Sequence, residues 1–360
     1  MIKTNNKKIC IVVSSLGGGG AERSSALLSE LLYDLGYNIY IVSVLDNIEY
    51  SYKGELLNLG ELKANDDSVI GRLKRFKVFK NFIKNHRFDY VIDSRPRIKF
   101  LKEFIISRFI YTPRKTMYFV RSFKVNSYIH PNRILGKLLY GNANKIIAVS
   151  KGISKNIKDN YGFKNVTCIY NPVEIKQDDS KSDISEPYIL FFGRLNDDVK
   201  NISLLLEAYS QSKLPSNNVD LKILGDGKDL EKLKTLVNEL KLSSNVQFLH
   251  HNPNPSSIIQ SALFTLLTSR YEGFPRVITE SLALGTTVVS VDCQSGPNEI
   301  IKNEFNGLLV ENHNPEGLAK AMNRLYEDKD LYLHCKSNTK VSVEQFSKAA
   351  IGLQWKAILK

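Results

Sequence analysis

Short runs of apolar, β-branched residues alternate along the whole chain with stretches that carry apolar residues at helical spacing. This alternation is typical of βαβ units, in which parallel strands are joined by crossover helices. The strands predicted in the first half are Ile9–Val13, Ile39–Val44, Tyr90–Ile92, Met117–Val120 and Ile146–Val149. Those predicted in the second half are Tyr188–Phe192, Asp220–Leu224, Val246–Leu249, Ala262–Leu267 and Thr287–Val291. The pattern therefore predicts an α/β protein with parallel sheets.

A polar segment divides the chain near its middle. The residues from Lys176 to Pro187 show no apolar periodicity, which is typical of a linker. Two domains are predicted, residues 1–175 and residues 187–342, in keeping with a length of 360 residues. The last stretch, residues 343–360, has a helical pattern with the only tryptophan and can pack against either domain, the first included.

The apolar runs and the cysteines exclude some classes of protein. No run of 18 or more apolar residues is present, so the sequence predicts no membrane-spanning helix. The basic start MIKTNNKK leads through a short apolar run into SSLGGGG, which indicates a buried first strand rather than a signal peptide. The four cysteines form no CxxC pair, which argues against both a zinc site and a disulfide framework.

Positive charge is concentrated in the first half of the chain. Residues 1–175 hold 29 Lys and Arg against 14 Asp and Glu, whereas residues 176–360 hold 21 against 23. Between Arg72 and Lys145, 19 basic residues face three acidic ones. Such a field attracts a polyanion, which can be nucleic acid, anionic lipid headgroups or a phosphorylated acceptor.

A glycine loop, SSLGGGGAERSS, directly follows the first predicted strand and opens a helix predicted over Ala21–Leu35. Consecutive glycines let the backbone approach a ligand closely, and the helix start offers N–H groups to an anion. The spacing is not the dinucleotide fingerprint, because Glu22 stands where the third glycine belongs, and no Walker A ending follows. We interpret the loop as a phosphate or sugar contact, with a ligand-free turn as the alternative.

Two cations follow the first predicted strand of the second half. Strand Tyr188–Phe192 ends at Gly193, so Arg194 lies at the carboxyl edge of the sheet, where α/β folds bind ligands. Lys200 falls near the start of the next helix. The two charges suit a diphosphate that a metal ion would otherwise neutralise, although cations near a loop can equally be solvated.

The most specific motif is SRYEGFPRVITESLALGTTVVS. Pro275 suits the first turn of a helix, which puts Glu272 in the loop before that helix and Glu280 inside it. The amides of Arg276 and Val277 at the helix start would then hold phosphate. Glu280 would reach a pair of ribose hydroxyls, and Glu272 would take hydroxyls of a donor sugar. The alternative is an ordinary loop acid and a solvated helix acid.

This motif resembles the E-x7-E signature of retaining glycosyltransferase family 4. Further segments that fall in the order of that family are GGAER, Asn171-Pro172, Phe192-Gly-Arg-Leu, Lys200-Asn201, Leu224-Gly-Asp-Gly and Gly296-Pro-Asn-Glu-Ile-Ile. Together they cover nearly the whole chain. The GGAER and SGPNEII segments are similar to those of bacterial enzymes that extend undecaprenyl-diphosphate-linked glycans of the cell surface.

The resemblance implies a fold and an activity. The fold is the GT-B arrangement, two facing Rossmann-like domains with the active site in the cleft between them, the first on the acceptor side and the second binding the nucleotide sugar. The activity is metal-independent, retaining hexosyl transfer, with an N-acetylhexosamine among the candidate sugars. The donor is a nucleotide-diphosphate sugar, for which the resemblance favours UDP, and the acceptor is a polyprenyl-diphosphate-linked or other glycan. No cofactor and no metal are implied, because the nucleotide sugar is itself a substrate.

The resemblance also implies roles for individual residues. Arg194 and Lys200 would neutralise the leaving diphosphate, and Gly18 and Gly19 would lie beneath the reacting anomeric centre. The ribose and sugar contacts inferred above for the two glutamates are those of the family. We expect a front-face reaction without a covalent intermediate, in which electrostatic preorganisation is the main catalytic effect and the departing phosphate is the base.

One position departs from the family pattern. Many relatives carry a histidine after a middle strand of the first domain, near the C6 hydroxyl of the donor sugar, and this chain has none there. Arg121 and Ser122 are the candidates for that position. His250 and His251 follow the strand Val246–Leu249 and are candidates for contact with the nucleotide base.

Two stretches of the basic region, Gly71–Phe88 and Arg97–Arg114, combine cations with apolar residues at helical spacing. The apolar positions are Leu73, Phe76, Phe79, Phe82 and Ile83 in the first, and Phe100, Leu101, Phe104, Ile105, Phe109 and Ile110 in the second. A basic amphipathic helix can lie on an anionic bilayer, and the alternative is that its apolar face packs on the first domain's sheet. Together with the charge asymmetry, this favours a cytoplasmic protein that is peripheral on the inner face of the cell membrane.

Two other functions are compatible with parts of the sequence. A nucleotide-sugar 2-epimerase can share the two-domain fold, but it needs additional acid and base carboxylates. A basic nucleic-acid-binding protein would use the charged region, but no nucleic-acid-binding motif is present and the glutamate pair stays unexplained. We therefore expect no nucleic-acid partner.

Overall fold

The computed structural model describes residues 6–174 and 186–360. It divides into two compact units, the first formed by residues 1–172 and 348–360 and the second by residues 173–347. The predicted linker from Lys176 onward lies, as far as residue 185, outside the described residues. Each unit is built around one parallel sheet with helices.

The first unit contains a seven-stranded parallel sheet in the order β3-β2-β1-β4-β5-β6-β7. Its strands are β1 Lys8–Val13, β2 Asn38–Ser43, β3 Glu55–Asn58, β4 Tyr90–Asp93, β5 Thr116–Val120, β6 Lys145–Ala148 and β7 Val166–Cys168. The helices between them are α1 Gly20–Asp34, α2 Leu59–Asn65, α3 Val69–His86, α4 Phe100–Ile105, α5 Arg133–Tyr140 and α6 Lys151–Tyr161. A π-helix over Ile106–Ile110 continues α4, and 3-10 turns cover Pro113–Lys115 and Val125–Ser127.

The second unit contains a six-stranded parallel sheet in the order β10-β9-β8-β11-β12-β13. Its strands are β8 Tyr188–Phe192, β9 Asp220–Leu224, β10 Val246–Leu249, β11 Phe264–Leu267, β12 Thr287–Asp292 and β13 Gly307–Glu311. Its helices are α7 Asp197–Lys200, α8 Ile202–Gln211, α9 Leu230–Glu239, α10 Ser256–Ser261, α11 Arg276–Ala283, α12 Pro297–Ile300, α13 Pro315–Glu327, α14 Lys329–Ser337 and α15 Thr339–Ser342. The 3-10 turns are Pro215–Asn217 and Glu344–Phe346.

The ten predicted strands are confirmed to within two residues at each end, and so is the prediction of two Rossmann-like sheets. Three further strands, β3, β7 and β13, were not predicted, and each is at the edge of its sheet. Central strands such as β8 are buried along their whole length, which is why they consist of apolar residues alone.

The last helix of the chain, α16 at Lys348–Ile358, packs within the first unit. Gly352 lies against Leu31 of α1 and against Leu35, which caps that helix, and the ring of Trp355 lies 5.8 Å from that of Phe119 in β5. The helical pattern predicted from Val343 therefore begins five residues later, after a 3-10 turn that belongs to the second unit. Within the two described ranges, no helix combines the length and the apolar content that a bilayer span requires.

Candidate active site

In the second unit, the strand order changes direction between β8 and β11, which lie side by side although they are distant in sequence. The carboxyl ends of two such strands form the crevice in which open α/β sheets bind ligands. The chain leaves β8 through Gly193 and Arg194, and it leaves β11 through Thr268 and the Glu272 loop. Most of the predicted donor-site residues of this unit therefore flank one switch point.

Lys200 and Glu272 are brought into contact at this point. The Lys200 Nζ donates to the Glu272 Oε1 over 2.7 Å, and both side chains are mostly buried. The Ser269 hydroxyl also donates to Glu272 Oε1, over 2.6 Å. The backbone carbonyl of Lys200 accepts from the Thr268 hydroxyl, so the end of α7 is fixed to the chain that follows β11. Arg194 is exposed beside the same strand end.

Two glycines allow the strand ends to approach each other. A Cβ added to Gly225 would lie 2.0 Å from the Gly193 carbonyl oxygen, and both glycines have positive φ angles, near 150°. A side chain at residue 225 would force β8 and β9 apart at the edge from which Arg194 emerges. The close approach explains Gly225 of the LGDG segment, and the positive φ angle explains Gly193 of the FGR segment.

The Glu272 loop is held from its other side by the chain after β12. The Glu272 amide donates to the Gln294 carbonyl over 3.0 Å, and the Ser295 hydroxyl donates to the Gly273 carbonyl. Gly296 has a φ of 108°, and a Cβ there would lie 2.4 Å from Cδ of Pro275. The SGPNE segment therefore supports the loop that carries the first glutamate.

The sequence pattern placed Pro275 in the first turn of a helix. In the structure, helix α11 begins at Arg276, and Pro275 is the residue just before it. Arg276 Nη2 donates to Glu280 Oε1 over 2.5 Å, one helical turn away, and both side chains are mostly buried. Glu280 is therefore a paired acid and not a solvated one. The side chain of Val277 packs against a small apolar cluster.

His250 and His251 converge on Asp226 of the LGDG segment. The Asp226 carboxylate accepts from the His251 amide and lies 3.0 Å from His250 Nδ1. The hydrogen bond from the His251 amide, followed by that from His250, lowers the pKa of Asp226 below its usual range. The His250 ring itself is exposed.

In the first unit, the glycine loop follows β1 at the point where β1 and β4 lie side by side, which is the switch point of that sheet. The loop after β2 is bound to it, because the Leu16 amide donates to the Asn47 carbonyl and the Glu49 amide donates back to Leu16. The Glu49 carboxylate accepts from the amide of Gly18, over 3.0 Å. Glu49 was missed in the sequence because it stands in a polar loop with no motif, 31 residues from its partner.

Arg121, at the carboxyl end of β5, is buried in a polar network. Its guanidinium donates to the Ser94 hydroxyl over 2.7 Å, to the Asn171 side chain over 2.8 Å and to the Ser25 hydroxyl over 3.3 Å. It thereby links α1, the end of β4 and the Asn171-Pro172 segment. Ser122 is not part of this network, and its hydroxyl accepts from the Lys124 amide in a local turn.

Buried charges lie next to that network, at the end of β4. Arg95 donates to Asp93 over 2.6 Å and lies 3.3 Å from Glu103 of α4, and all three side chains are buried. Burial raises the pKa of Asp93, but Arg95 and Arg97 outweigh it, so that the pKa is lowered and Asp93 is ionised. The Arg97 guanidinium donates to the Phe119 carbonyl, which ties the segment after β4 to β5.

The two basic stretches differ from the simple amphipathic prediction. In α3, Phe79 and Ile83 are buried within the first unit, whereas Leu73 is exposed. The alternative of packing on the first domain therefore holds for part of this helix. Leu101 and Phe109 of the second stretch are also exposed. Over residues 6–174 and 186–360, no group of three or more His, Cys, Asp or Glu side chains is arranged to hold a metal ion.

Comparisons with known proteins agree on one group of enzymes. Residues 173–342 match the family of glycosyl transferases group 1, and residues 18–177 match glycosyltransferase family 4. The chain is 30% identical, over 96% of its length and 97% of the relative's, to the N-acetylgalactosamine-N,N'-diacetylbacillosaminyl-diphospho-undecaprenol 4-alpha-N-acetylgalactosaminyltransferase of Campylobacter jejuni. It is 31% identical, over 49% of its length and 51% of the relative's, to the lipopolysaccharide 1,6-galactosyltransferase of Escherichia coli.

Solved structures share the fold at lower identity. Anabaena HepE in complex with UDP-glucose superposes with a TM-score of 0.80 at 20% identity, over 98% of this chain and 99% of that one. TarM of S. aureus, in a complex that contains UDP, superposes with a TM-score of 0.79 at 16% identity, over 98% of this chain and 100% of that one.

Proposed function

The chain belongs to glycosyltransferase family 4, and we propose on that basis that it transfers a hexosyl group from a UDP-sugar, with retention, to a lipid-linked glycan of the cell surface. The observation that carries the proposal is the contact between Lys200 and Glu272 at the switch point of the second sheet. It joins a cation suited to a diphosphate with an acid suited to sugar hydroxyls, at the edge where such sheets bind nucleotides.

The donor diphosphate would lie against Arg194 and Lys200. These two cations, together with the helix-start amides of Arg276 and Val277, would stabilise the negative charge that grows as the bond from the sugar to the diphosphate stretches. Because this charge is met by protein groups, the reaction needs no metal ion. The acceptor hydroxyl would enter on the same face of the sugar, and the departing phosphate would take its proton.

The two glutamates would divide the rest of the donor between them. Glu280, oriented by its ion pair with Arg276, would accept hydrogen bonds from the ribose hydroxyls. Glu272, oriented by Lys200 and Ser269, would accept hydrogen bonds from the sugar hydroxyls. His250 and His251 would lie toward the nucleotide base.

The first unit would serve the acceptor side of the reaction. Gly18 and Gly19, in the loop supported by Glu49, would lie beneath the anomeric centre. Arg121 would act on the donor sugar indirectly, because its guanidinium already holds Ser25 and Ser94, while Ser122 would be the more accessible of the two candidates near the sugar.

The acceptor is proposed to be linked to a polyprenyl diphosphate. The Campylobacter relative acts, by its name, on a diphospho-undecaprenol saccharide and transfers N-acetylgalactosamine, so an N-acetylhexosamine is the first sugar to test. A lipid-linked acceptor requires the enzyme to work at the membrane surface. The excess of basic residues between Arg72 and Lys145 supports a peripheral position on the anionic, cytoplasmic face of the membrane.

The test has two steps. Purified protein is first screened for thermal stabilisation by a panel of nucleotide sugars, and the stabilising donor is then incubated with undecaprenyl-diphosphate-linked saccharide. The expected result is stabilisation by a UDP-sugar and consumption of the donor only when the acceptor is present, with an α-linked product from an α-linked donor. Isomerisation of the donor without acceptor would instead identify a 2-epimerase. Absence of stabilisation by any nucleotide sugar, with retention of nucleic acid at physiological salt, would overturn the proposal.

A further inference from the structure

Helix α4 and the π-helix that continues it bury an acid and expose apolar side chains. Glu103 is only 4% exposed, whereas Leu101 is 70% and Phe109 is 64% exposed. Single exposed leucines are common on soluble proteins, but a buried carboxylate and exposed large apolar groups on one short element are informative together. On this element, a carboxylate occupies the buried side while two large apolar side chains are exposed.

A buried ion pair fixes this orientation. Glu103 faces inward because Arg95 lies 3.3 Å from its carboxylate, and Arg95 is in turn held by Asp93. Ile106 and Ile110 are buried on the same side as Glu103. Leu101 and Phe109 are therefore held outward, and they cannot both turn inward unless a buried charge is left without its partner.

Neighbouring elements extend the exposed apolar surface. Ile134 and Leu138 of α5 lie one helical turn apart, on one face, and both are exposed. The Arg108 guanidinium donates to the Leu138 carbonyl, which joins α5 to the π-helix. Together with Ile98, just before α4, these residues form what we call the exposed apolar set, namely Ile98, Leu101, Phe109, Ile134 and Leu138.

The surroundings of the exposed apolar set are cationic. Residues 98–138 contain nine Lys and Arg and a single acid, Glu103, which is buried. An anionic bilayer offers acyl chains to apolar groups and headgroups to cations at the same depth, which matches this composition. A second protein chain would have to supply an acidic rim around an apolar pocket to match it equally well.

We propose that α4, the π-helix and the outer face of α5 insert the exposed apolar set into the interface of an anionic bilayer. The inference deepens the proposed membrane association and rests on it. In this arrangement the lysines and arginines draw the enzyme to the surface, and the exposed apolar set fixes its depth. The Asp93–Arg95–Glu103 pairing is the rigid support that keeps the apolar side chains outward.

The depth of insertion can be measured with a single added tryptophan. The only native tryptophan, Trp355, is buried, so its emission changes little on binding. Phe109→Trp is expected to show a blue shift and strong quenching with phosphatidylglycerol vesicles that contain brominated acyl chains. Leu353→Trp, at a position that is 69% exposed on α16, is the matched control and is expected to show neither. Equal quenching at both positions, or none at residue 109, would overturn the proposal.

A second experiment separates this inference from the proposed function. The double variant Leu101→Ser, Phe109→Ser is expected to bind the same vesicles at least about tenfold more weakly in 0.5 M salt, because two large apolar groups no longer enter the interface. Leu353→Ser is expected to bind the vesicles as tightly as the unaltered protein does. The unaltered protein, the double variant and Leu353→Ser are expected to transfer sugar equally to a water-soluble acceptor. If the unaltered protein binds vesicles and the double variant binds them equally, insertion is wrong but membrane association stands.

Failure of the unaltered protein to bind acidic vesicles would defeat both proposals about the membrane. Failure to transfer sugar to the undecaprenyl-diphosphate-linked saccharide would defeat the proposed function alone. The unaltered protein could instead fail to bind vesicles but associate with itself as its concentration rises. If the double variant abolished that self-association, a second copy of the chain would be shown to cover the exposed apolar set. That outcome would also overturn insertion.

Discussion

The Lys200 ammonium group lies 2.7 Å from the Glu272 carboxylate, although the two residues are 72 positions apart in the chain. Each side chain neutralises the charge of the other. A bound donor would offer Lys200 a diphosphate and Glu272 a set of hydroxyls, so the pair can exchange one favourable partner for another without leaving either charge buried and alone. The ion pair thus fixes the positions of both groups relative to each other.

We expect Glu272→Gln to separate donor turnover from nucleotide binding. The amide keeps the size of the side chain but loses a charged hydrogen-bond acceptor, which is worth about 1.5–3 kcal/mol, so turnover of the UDP-sugar should fall by about 10- to 150-fold or more. Free UDP lacks the sugar and should bind normally in a calorimetric titration. The matched control is Glu316→Gln, which removes an exposed acid paired with Lys320 and should change neither quantity.

Glu280→Gln should instead weaken UDP itself. Its carboxylate is proposed to hold the ribose, so the Kd for UDP and for the intact donor should both rise by about 10- to 150-fold in the same calorimetric titration. Arg276→Gln removes the partner that orients Glu280 and should weaken UDP by a smaller factor. The division of roles is falsified if Glu272→Gln weakens free UDP as much as Glu280→Gln does.

Activity should survive an excess of chelator. Arg194 and Lys200 are proposed to neutralise the leaving diphosphate, so 10-fold or larger changes in rate are not expected when EDTA is added to a transfer assay with purified protein. A loss of turnover in EDTA that Mg²⁺ or Mn²⁺ restores would contradict this. Lys200→Met, which removes the cation, should lower turnover whether or not a metal ion is added.

The glycine loop can be tested through its backbone. Gly18 has a φ of 82°, so Gly18→Ala adds strain of about 1–2 kcal/mol and a side chain beside Asn47. Gly36→Ala adds similar strain, at a φ of 88°, at the end of α1 and serves as the matched control. Both variants should lose comparable stability in a thermal melt. Only Gly18→Ala should lower sugar transfer strongly, and equal turnover in the two would argue against a substrate contact at the loop.

The central strands could be predicted because burial on both faces leaves only apolar residues. Ile9 to Val13 in β1 and the whole of β8 are of this kind. The edge strand β3 was not predicted, because Glu55–Asn58 is partly exposed and mixes polar with apolar residues. Strand β7 was not predicted because its three residues are too few to show the alternation of a strand.

The candidate site could be predicted as a set of residues but not as a set of contacts. Glu272 and Glu280 stand out because loop and helix signals surround them. The contact of Lys200 with Glu272 depends on β8 lying beside β11. The order of the strands in the sheet cannot be predicted from the residues around Lys200 or around Glu272. Likewise, nothing near Arg121 indicated that three side chains from distant segments would hold its guanidinium.

The approach of Gly225 to the Gly193 carbonyl has a consequence for how this enzyme will behave in mutational scans. A selection for activity would find residue 225 as intolerant of substitution as residue 272, although Gly225 contributes no side chain to the site. Engineers who seek a new donor by exchanging the loops after β8 and β9 must therefore transfer them as one cassette. A loop that placed a side chain at residue 225 would clash with the Gly193 carbonyl oxygen, and such variants would be lost to misfolding before their chemistry could be selected.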